Sequence, residues 1–149
     1  MEKIKTGLAA FGMSGQIFHA PFISTNPAFC LTAITERNKN LSKERYPSAR
    51  IVRSFEELVA LDELELVVIN TPDSTHYEYT RKALEAGKNV LCEKAFTVNA
   101  DQARKLFALA KEKNLLITEA IWTRYMPSRK MIQDIVESGV IGEVTSLTA

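Results

Sequence analysis

The chain has 149 residues, with 19 basic and 18 acidic side chains and a formal net charge of +1. This length fits one domain with its own core, and the charge balance gives no sign of a nucleic-acid or acidic-membrane partner. No apolar run approaches the roughly 20 residues that cross a bilayer, and we expect no signal peptide. Cys30 and Cys92 lack metal-site or disulfide spacing, so we expect two buried free thiols in a reducing cytoplasm.

Short β-branched runs alternate with helical patterns along the whole chain. Six runs are predicted as strands: 4–10, 29–35, 51–52, 66–70, 89–92 and 115–120. Helices are predicted at 12–24, at 40–46, after Ser54 with Glu57 three residues on, at 74–86, after Asn99, and at 126–138. A seventh strand is expected to begin in 143–149. This alternation predicts right-handed crossovers and a doubly wound parallel sheet, which is a Rossmann fold in the α/β class.

The first strand runs into a turn that contains two glycines. Residues 10–15 read Ala-Phe-Gly-Met-Ser-Gly, close to the dinucleotide fingerprint Gly-x-Gly-x-x-Gly except that Ala10 holds its first position. Ala10 is tolerated there if its φ is negative. Glycine allows close approach to a charged ligand, and the N–H groups that start a helix favour a phosphate. The candidate pyrophosphate residues are therefore Phe11, Gly12, Met13, Ser14 and Gly15, and the alternative is an ordinary strand–turn–helix corner.

The second strand ends at an acidic residue. Glu36 lies about 20 residues after Gly15, the separation at which a carboxylate accepts hydrogen bonds from the adenosine ribose. The alternative is a surface glutamate at a strand end. Arg37 follows and could face a 2′-phosphate, stack on adenine or lie in solvent. Because Glu36 would repel a 2′-phosphate, the sequence favours NAD and leaves NADP open.

Polar or aromatic residues also follow the later strands, at the sheet edge where α/β folds bind ligands. Pro72 fixes the turn after the fourth strand, and His76 in the next helix is either structural or a ligand. Glu93 and Lys94 after the fifth strand are either a surface ion pair or face the nicotinamide, where Lys94 would favour alkoxide character in a substrate. Trp122 after the sixth strand either stacks on the cofactor, shapes a substrate pocket or packs against a second domain.

Together these motifs resemble the glucose–fructose oxidoreductase and inositol 2-dehydrogenase (Gfo/Idh/MocA) family. The resemblance covers the whole chain, including Phe-His-Ala-Pro-Phe at 18–22 and Glu-Ala-Ile-Trp-Thr-Arg at 119–124. It implies a nicotinamide-dependent oxidoreductase that acts on sugars, cyclitols or related diols. The resemblance places Phe11 to Ser14 at the pyrophosphate and Glu36 with Arg37 at the adenosine ribose. It places Thr71, Pro72 and His76 along the cofactor, Glu93 at the nicotinamide ribose, and Lys94 near the nicotinamide and substrate as the catalytic residue.

The chain departs from the family pattern at two positions. The family usually has glycine where Ala10 stands, and proline, often after a cis bond, where Ala95 stands. Because a cis bond before a residue other than proline costs ~3 kcal/mol, we expect the Lys94–Ala95 bond to be trans. A trans bond would change the direction of Lys94 and put its catalytic assignment in question.

The resemblance also implies a second α+β domain that supplies most of the substrate pocket. We therefore expect 1–121 to be the dinucleotide-binding domain and 122–149 to be its last helix and the truncated start of the second domain. A small polyol or sugar would bind only with that second domain present. A homo-oligomer is left open, with an apolar surface expected near Trp122 and 140–149.

Three functions stand as hypotheses. The first is the NAD(P)-binding domain of an oxidoreductase that transfers hydride between the cofactor and a sugar, cyclitol or diol. The second is a non-catalytic module that senses NAD or pairs with another chain. The third is a fold of this type with another ligand, such as S-adenosylmethionine, for which Glu93 and Lys94 would have no evident purpose.

Overall fold

The computed structural model describes residues 2–148. Its strands are β1 (Ile4–Leu8), β2 (Phe29–Thr35), β3 (Arg50–Val52), β4 (Leu66–Ile69), β5 (Asn89–Cys92) and β6 (Ile117–Glu119). They form one parallel sheet in the order β3-β2-β1-β4-β5-β6. This is the strand order of a Rossmann fold, in which the topology reverses between β1 and β4. The predicted doubly wound α/β sheet is confirmed.

The helices follow the predicted alternation. They are α1 (Ala20–Thr25), which a π-helical turn (Gly15–His19) precedes, α2 (Ser42–Arg45), α3 (Phe55–Val59), α4 (His76–Glu85), α5 (Ala100–Glu112) and α6 (Pro127–Glu137). Short 3₁₀ turns lie at Asp73–Thr75 and Trp122–Tyr125. Both predicted caps form: Ser54 accepts from the backbone N–H of Glu57, and Asn99 from that of Gln102. Each cap satisfies an N–H that the helix itself leaves unpaired.

The sheet is covered on both faces. Val67, Val68 and Ile69 of β4 are fully buried, with Val67 and Ile69 in one apolar cluster and Val68 in the other. The first cluster includes Leu84 of α4 and Leu106 of α5. A strand with apolar side chains at every position is typical of a parallel sheet between two helix layers. The site at its carboxyl edge therefore stands on a rigid base.

Two expectations from the sequence are wrong. No strand forms within 143–148, because these residues lie exposed and pair with neither edge of the sheet; residue 149 lies outside the described residues. Cys30 is exposed rather than buried, whereas Cys92 is buried as expected. Cys30 lies near the amino end of β2, and only from Leu31 onward does this strand enter the covered part of the sheet.

The C-terminal segment differs from the rest of the described chain. Every residue from 121 to 148 is exposed, including the apolar residues of α6. None of the helices in residues 2–148 combines the length and apolar character needed to cross a membrane.

Candidate functional site

The turn after β1 is held by Asn70, the residue that directly follows β4. Asn70 accepts from the backbone N–H of Ala10 through Oδ1 at 3.0 Å and donates to the Ala10 carbonyl through Nδ2 at 2.9 Å. The amide therefore replaces a strand partner at the point where β1 and β4 diverge. Sequence reasoning missed Asn70, although an amide directly after a buried strand was the available signal.

Two glycines of the turn meet different constraints. A Cβ on Gly15 would lie 2.4 Å from the Ala10 carbonyl oxygen and 2.9 Å from Asn70 Nδ2. A Cβ on Gly12 would meet nothing within 4 Å. Gly15 therefore allows the helix to pack against the end of β1, while Gly12 leaves open space above the turn. Ala10 is accommodated because its φ is not positive: within 2–148, Asn114 is the one residue other than glycine with a positive φ.

The backbone of the turn has donors to offer. The N–H groups of residues 11–14 find no acceptor within the described chain, while the Phe11 carbonyl is taken by Gln16 Nε2 at 2.9 Å. Unpaired N–H groups at a helix start carry a positive partial charge. With the open space at Gly12, these donors fit the pyrophosphate of a dinucleotide.

A cavity of about 800 Å³ extends from this turn across the carboxyl edge of the sheet. Six of the predicted cofactor residues line it: Phe11, Gly12, Glu36, Arg37, Thr71 and Pro72. Its lining also includes residues that were not predicted as cofactor contacts: Gln16, Asn38, Lys39, Arg53, Thr75 and Tyr79. The structure thus brings part of the predicted pyrophosphate turn, Phe11 and Gly12, into one cleft with the predicted adenosine residues. The other predicted cofactor residues do not line this cavity: Met13, Ser14, Gly15, His76, Glu93, Lys94 and Trp122.

Glu36 lines this cavity, but its carboxylate is already engaged. It accepts from the backbone N–H of Leu41 at 2.8 Å and of Ser42 at 2.9 Å, and also from the Ser42 hydroxyl. Burial alone would raise the pKa of the Glu36 carboxyl, but these hydrogen bonds and the charge of Arg53 bring it below its ordinary value of 4.5. The carboxylate therefore stays negatively charged at neutral pH in the lining of the cavity.

At the end of β5, Glu93 pairs with a histidine rather than with its neighbour. Its Oε1 lies 2.8 Å from His19 Nε2 and 3.4 Å from Ser14 Oγ, and its Oε2 accepts from the backbone N–H of Lys94. The Lys94 side chain is exposed and forms no ion pair within residues 2–148. The surface ion pair between Glu93 and Lys94 that the sequence left open does not form in this part of the chain.

The Lys94–Ala95 peptide bond is cis, so the expectation of a trans bond is wrong. That expectation counted only the intrinsic cost of the bond and left out the contacts around it. The Ala95 carbonyl lies 2.7 Å from His76 Nδ1, and the Phe96 N–H donates to Glu119 at 2.9 Å. Contacts from α4 and β6 therefore set this backbone.

His76 and Trp122 lie away from the cavity. His76 is fully buried, with Nδ1 2.7 Å from the Ala95 carbonyl oxygen and Nε2 2.9 Å from the Thr71 carbonyl oxygen; the ring nitrogen that carries the proton donates to one of them. Trp122 is 68% exposed and lines a second cavity of about 460 Å³, which His19 and Glu119 also line. Met13 is exposed above the turn, and Gly15 is buried beneath it.

Residues 4–120 match a family model described as "Oxidoreductase family, NAD-binding Rossmann fold". The chain belongs to the Gfo/Idh/MocA oxidoreductase family. The match covers every strand of the sheet and the glycine turn, and it makes this chain an NAD(P)-binding domain. The resemblance inferred from the motifs is confirmed.

Relatives of this Gfo/Idh/MocA domain carry named activities. D-xylose 1-dehydrogenase (NADP(+)) of Hypocrea jecorina is 52% identical over 96 residues, which are 64% of this chain and 25% of that enzyme. The scyllo-inositol 2-dehydrogenase (NADP(+)) of Bacillus subtilis is 28% identical over 146 residues, 98% of this chain and 41% of that enzyme. The chain spans about 40% of the length of the curated relatives that it matches end to end.

A solved structure agrees with this family assignment. A 3-ketoreductase from Actinomadura kijaniata, in complex with NADP and TDP-benzene, superposes with a TM-score of 0.91 at 30% identity. The superposition covers 95% of this chain and 44% of that one. The Gfo/Idh/MocA Rossmann fold described above is therefore one that a solved structure shows with NADP bound.

Proposed function

We propose that this chain binds NAD(P) as part of an oxidoreductase that transfers hydride between the cofactor and a sugar, a cyclitol or a related diol. The observation that carries the proposal is the glycine turn, because Phe11 and Gly12, whose N–H groups are unpaired, line the 800 Å³ cavity and a Cβ on Gly12 would meet nothing within 4 Å. The named relatives act on D-xylose and scyllo-inositol or are a 3-ketoreductase, which supports this substrate class.

The sheet topology supports a direction for the dinucleotide. The pyrophosphate would lie on residues 11–14 at the switch point between β1 and β4. The adenosine half would then extend over β2, where Glu36 and Arg37 line the cavity. The other half would extend past Thr71 and Pro72 towards β5, where Glu93 and Lys94 stand. His76 would act on the cofactor indirectly, through the backbone at Thr71 and Ala95 that its ring contacts.

Lys94 is the residue we propose for the chemistry. A bound nicotinamide supplies or accepts the hydride. The exposed Lys94 ammonium has no carboxylate partner in the described chain, so it is available to donate a hydrogen bond to a substrate oxygen and to stabilise negative charge there. Trp122 as a cofactor contact stays a prediction, since it lines the other cavity.

The boundary of the dinucleotide-binding unit is proposed at residue 121. The family match to 4–120 and the exposure of every residue from 121 to 148 support it. Residues 122–149 would then belong with a substrate-binding unit. A cytoplasmic location and a homo-oligomer stay predictions. The non-catalytic alternative gains no support, because the relatives named above are all oxidoreductases.

Isothermal titration with NAD⁺, NADH, NADP⁺ and NADPH tests the proposal. We expect saturable one-to-one binding of at least one dinucleotide. Glu36 predicts a preference for NAD, whereas the named relatives use or bind NADP. The ratio of the dissociation constant for NADP(H) to that for NAD(H) decides between these two preferences. If none of the four ligands saturates the chain and thermal unfolding shows it folded, the proposed function is wrong.

A further inference from the structure

A half-buried carboxylate and a buried histidine meet at the carboxyl edge of the sheet. The His19 and Glu93 side chains are 9% and 18% exposed, and His19 Nε2 lies 2.8 Å from Glu93 Oε1. Glu93 directly follows β5, while His19 is 74 residues earlier in the chain. His19 belongs neither to the glycine fingerprint at 10–15 nor to the Glu-Lys pair at 93–94, so neither motif assigns it a role.

The local backbone explains how His19 reaches Glu93. His19 ends the π-helical turn that begins at Gly15, and the backbone returns to α-helix at Ala20. A π-helical turn holds one extra residue per hydrogen-bonded ring and occurs often at functional sites. Because Gly15 packs directly against the end of β1, His19 is fixed to the same rigid corner as the pyrophosphate turn.

The Glu93 carboxylate depends on this corner for its orientation. Its Oε1 has two side-chain partners, His19 at 2.8 Å and the more distant Ser14 hydroxyl at 3.4 Å, while its Oε2 accepts from the Lys94 N–H. A largely buried acceptor that loses its closest partner turns towards another donor or towards water. Removing the His19 ring would therefore leave Glu93 without its shortest side-chain contact.

We propose that His19 is a positioning residue for the nicotinamide half of the site, acting through Glu93. This inference rests on the proposed function, in which the adenosine half lies over β2 and the other half runs towards β5. Ser14 belongs to the pyrophosphate turn, and Glu93 precedes Lys94, so the pair stands between the phosphate position and the catalytic lysine. His19 holds the Glu93 carboxylate where the ribose hydroxyls of the nicotinamide half would donate to it.

The test compares a whole dinucleotide with half of one. NADP⁺, NAD⁺ and ADP are titrated into the wild-type chain and into the variants His19→Leu and His19→Gln. ADP carries the adenosine and pyrophosphate but lacks the nicotinamide and its ribose. We expect His19→Leu to weaken the tighter dinucleotide by roughly fivefold to tenfold, the scale of one net hydrogen bond, and to leave ADP within about twofold. His19→Gln keeps an N–H donor at a similar distance and should restore most of the loss.

Two controls separate positioning from folding. Ile17→Leu alters an exposed residue of the same π-helical turn and should change neither affinity. In a Glu93→Ala background, His19→Leu should have no further effect, because the histidine acts through that carboxylate. Thermal unfolding is recorded for each variant.

Each outcome decides the inference. An equal loss for ADP and for the dinucleotide means that His19 only supports the turn, and the inference is overturned. Unchanged dinucleotide affinity in His19→Leu, or an undiminished effect in the Glu93→Ala background, also overturns it. A wild-type chain that binds neither dinucleotide refutes the proposed function itself, which is a different result from normal wild-type binding with an inert His19.

Discussion

Gly12 and Gly15 should respond to the same substitution in opposite ways. In Gly15→Ala, the new methyl would lie 2.4 Å from the Ala10 carbonyl oxygen, 1 Å closer than the 3.4 Å at which ordinary contact begins. The obstacle is backbone, and that oxygen also accepts from Asn70. Overpacking costs about 1–3 kcal/mol, and the strained hydrogen bond adds about 1 kcal/mol. We expect Gly15→Ala to lower the free energy of unfolding by about 2–4 kcal/mol.

Gly12→Ala is the matched control for stability. Its methyl meets nothing within 4 Å, and Gly12 is not among the glycines with positive φ. We therefore expect a free energy of unfolding within about 0.5 kcal/mol of wild type, as for substitutions in open space. A bound pyrophosphate, however, would approach the backbone at this residue. The same methyl should then weaken dinucleotide binding by roughly tenfold or more, equivalent to about 1.4 kcal/mol.

Urea unfolding followed by circular dichroism measures the stability of both variants, and calorimetric titration with the tighter dinucleotide measures affinity. Normal binding by Gly12→Ala would refute the assignment of that space to the pyrophosphate. Wild-type stability of Gly15→Ala would refute the packing of the helix against the Ala10 carbonyl. The two results are independent, so either assignment can fail alone.

Three further predictions follow from named contacts. Asn70→Ala should lower the free energy of unfolding by about 1–3 kcal/mol, because it unpairs both backbone groups of Ala10. Asn70→Asp keeps the acceptor, so its free energy of unfolding in the same urea titration should lie between those of wild type and Asn70→Ala. Burial raises the pKa of the Cys92 thiol to about 12, so at pH 8 iodoacetamide should label Cys30 alone in the native chain and both thiols in urea, as counted by mass spectrometry. The folded pKa of Glu36 lies below its ordinary value of 4.5, so the ionised carboxylate stabilises the fold fully above that pH and this contribution is lost as pH falls through the folded pKa. In Glu36→Gln, the free energy of unfolding should therefore fall less steeply below pH 4.5 than in wild type. An unchanged slope would contradict the role of the Glu36 hydrogen bonds.

The sheet could be predicted from the sequence because its signals are local. Four consecutive apolar residues, Leu66–Ile69, mark a strand buried on both faces. Ser54 and Asn99 mark helix starts through side chains that bond three residues ahead. The glycine turn is equally local, since strand, turn and helix are contiguous. Each of these features needs no knowledge of what lies across the fold.

The contacts that complete the site could not be predicted in this way, because they join distant segments. Asn70 bonds a residue 60 positions earlier, and His19 bonds one 74 positions later. The engagement of Glu36 by Ser42 depends on how the loop after β2 folds back, which no periodic pattern reports. The Lys94–Ala95 expectation failed for the same reason: an intrinsic preference was weighed without His76 and Glu119, which reach that segment from other elements.

The two halves of the candidate site differ in what supplies their contacts. At the pyrophosphate turn the donors are backbone N–H groups, and the side chains that matter, Asn70 and Gln16, act by holding that backbone. At the end of β5, the groups proposed to contact the cofactor and the substrate are the side chains of Glu93 and Lys94. A backbone donor is not removed when a side chain of the turn changes, whereas the Glu93 carboxylate depends on His19 for its direction. Substitutions around β5 should therefore alter the nicotinamide end selectively and leave the affinity for the adenosine half intact.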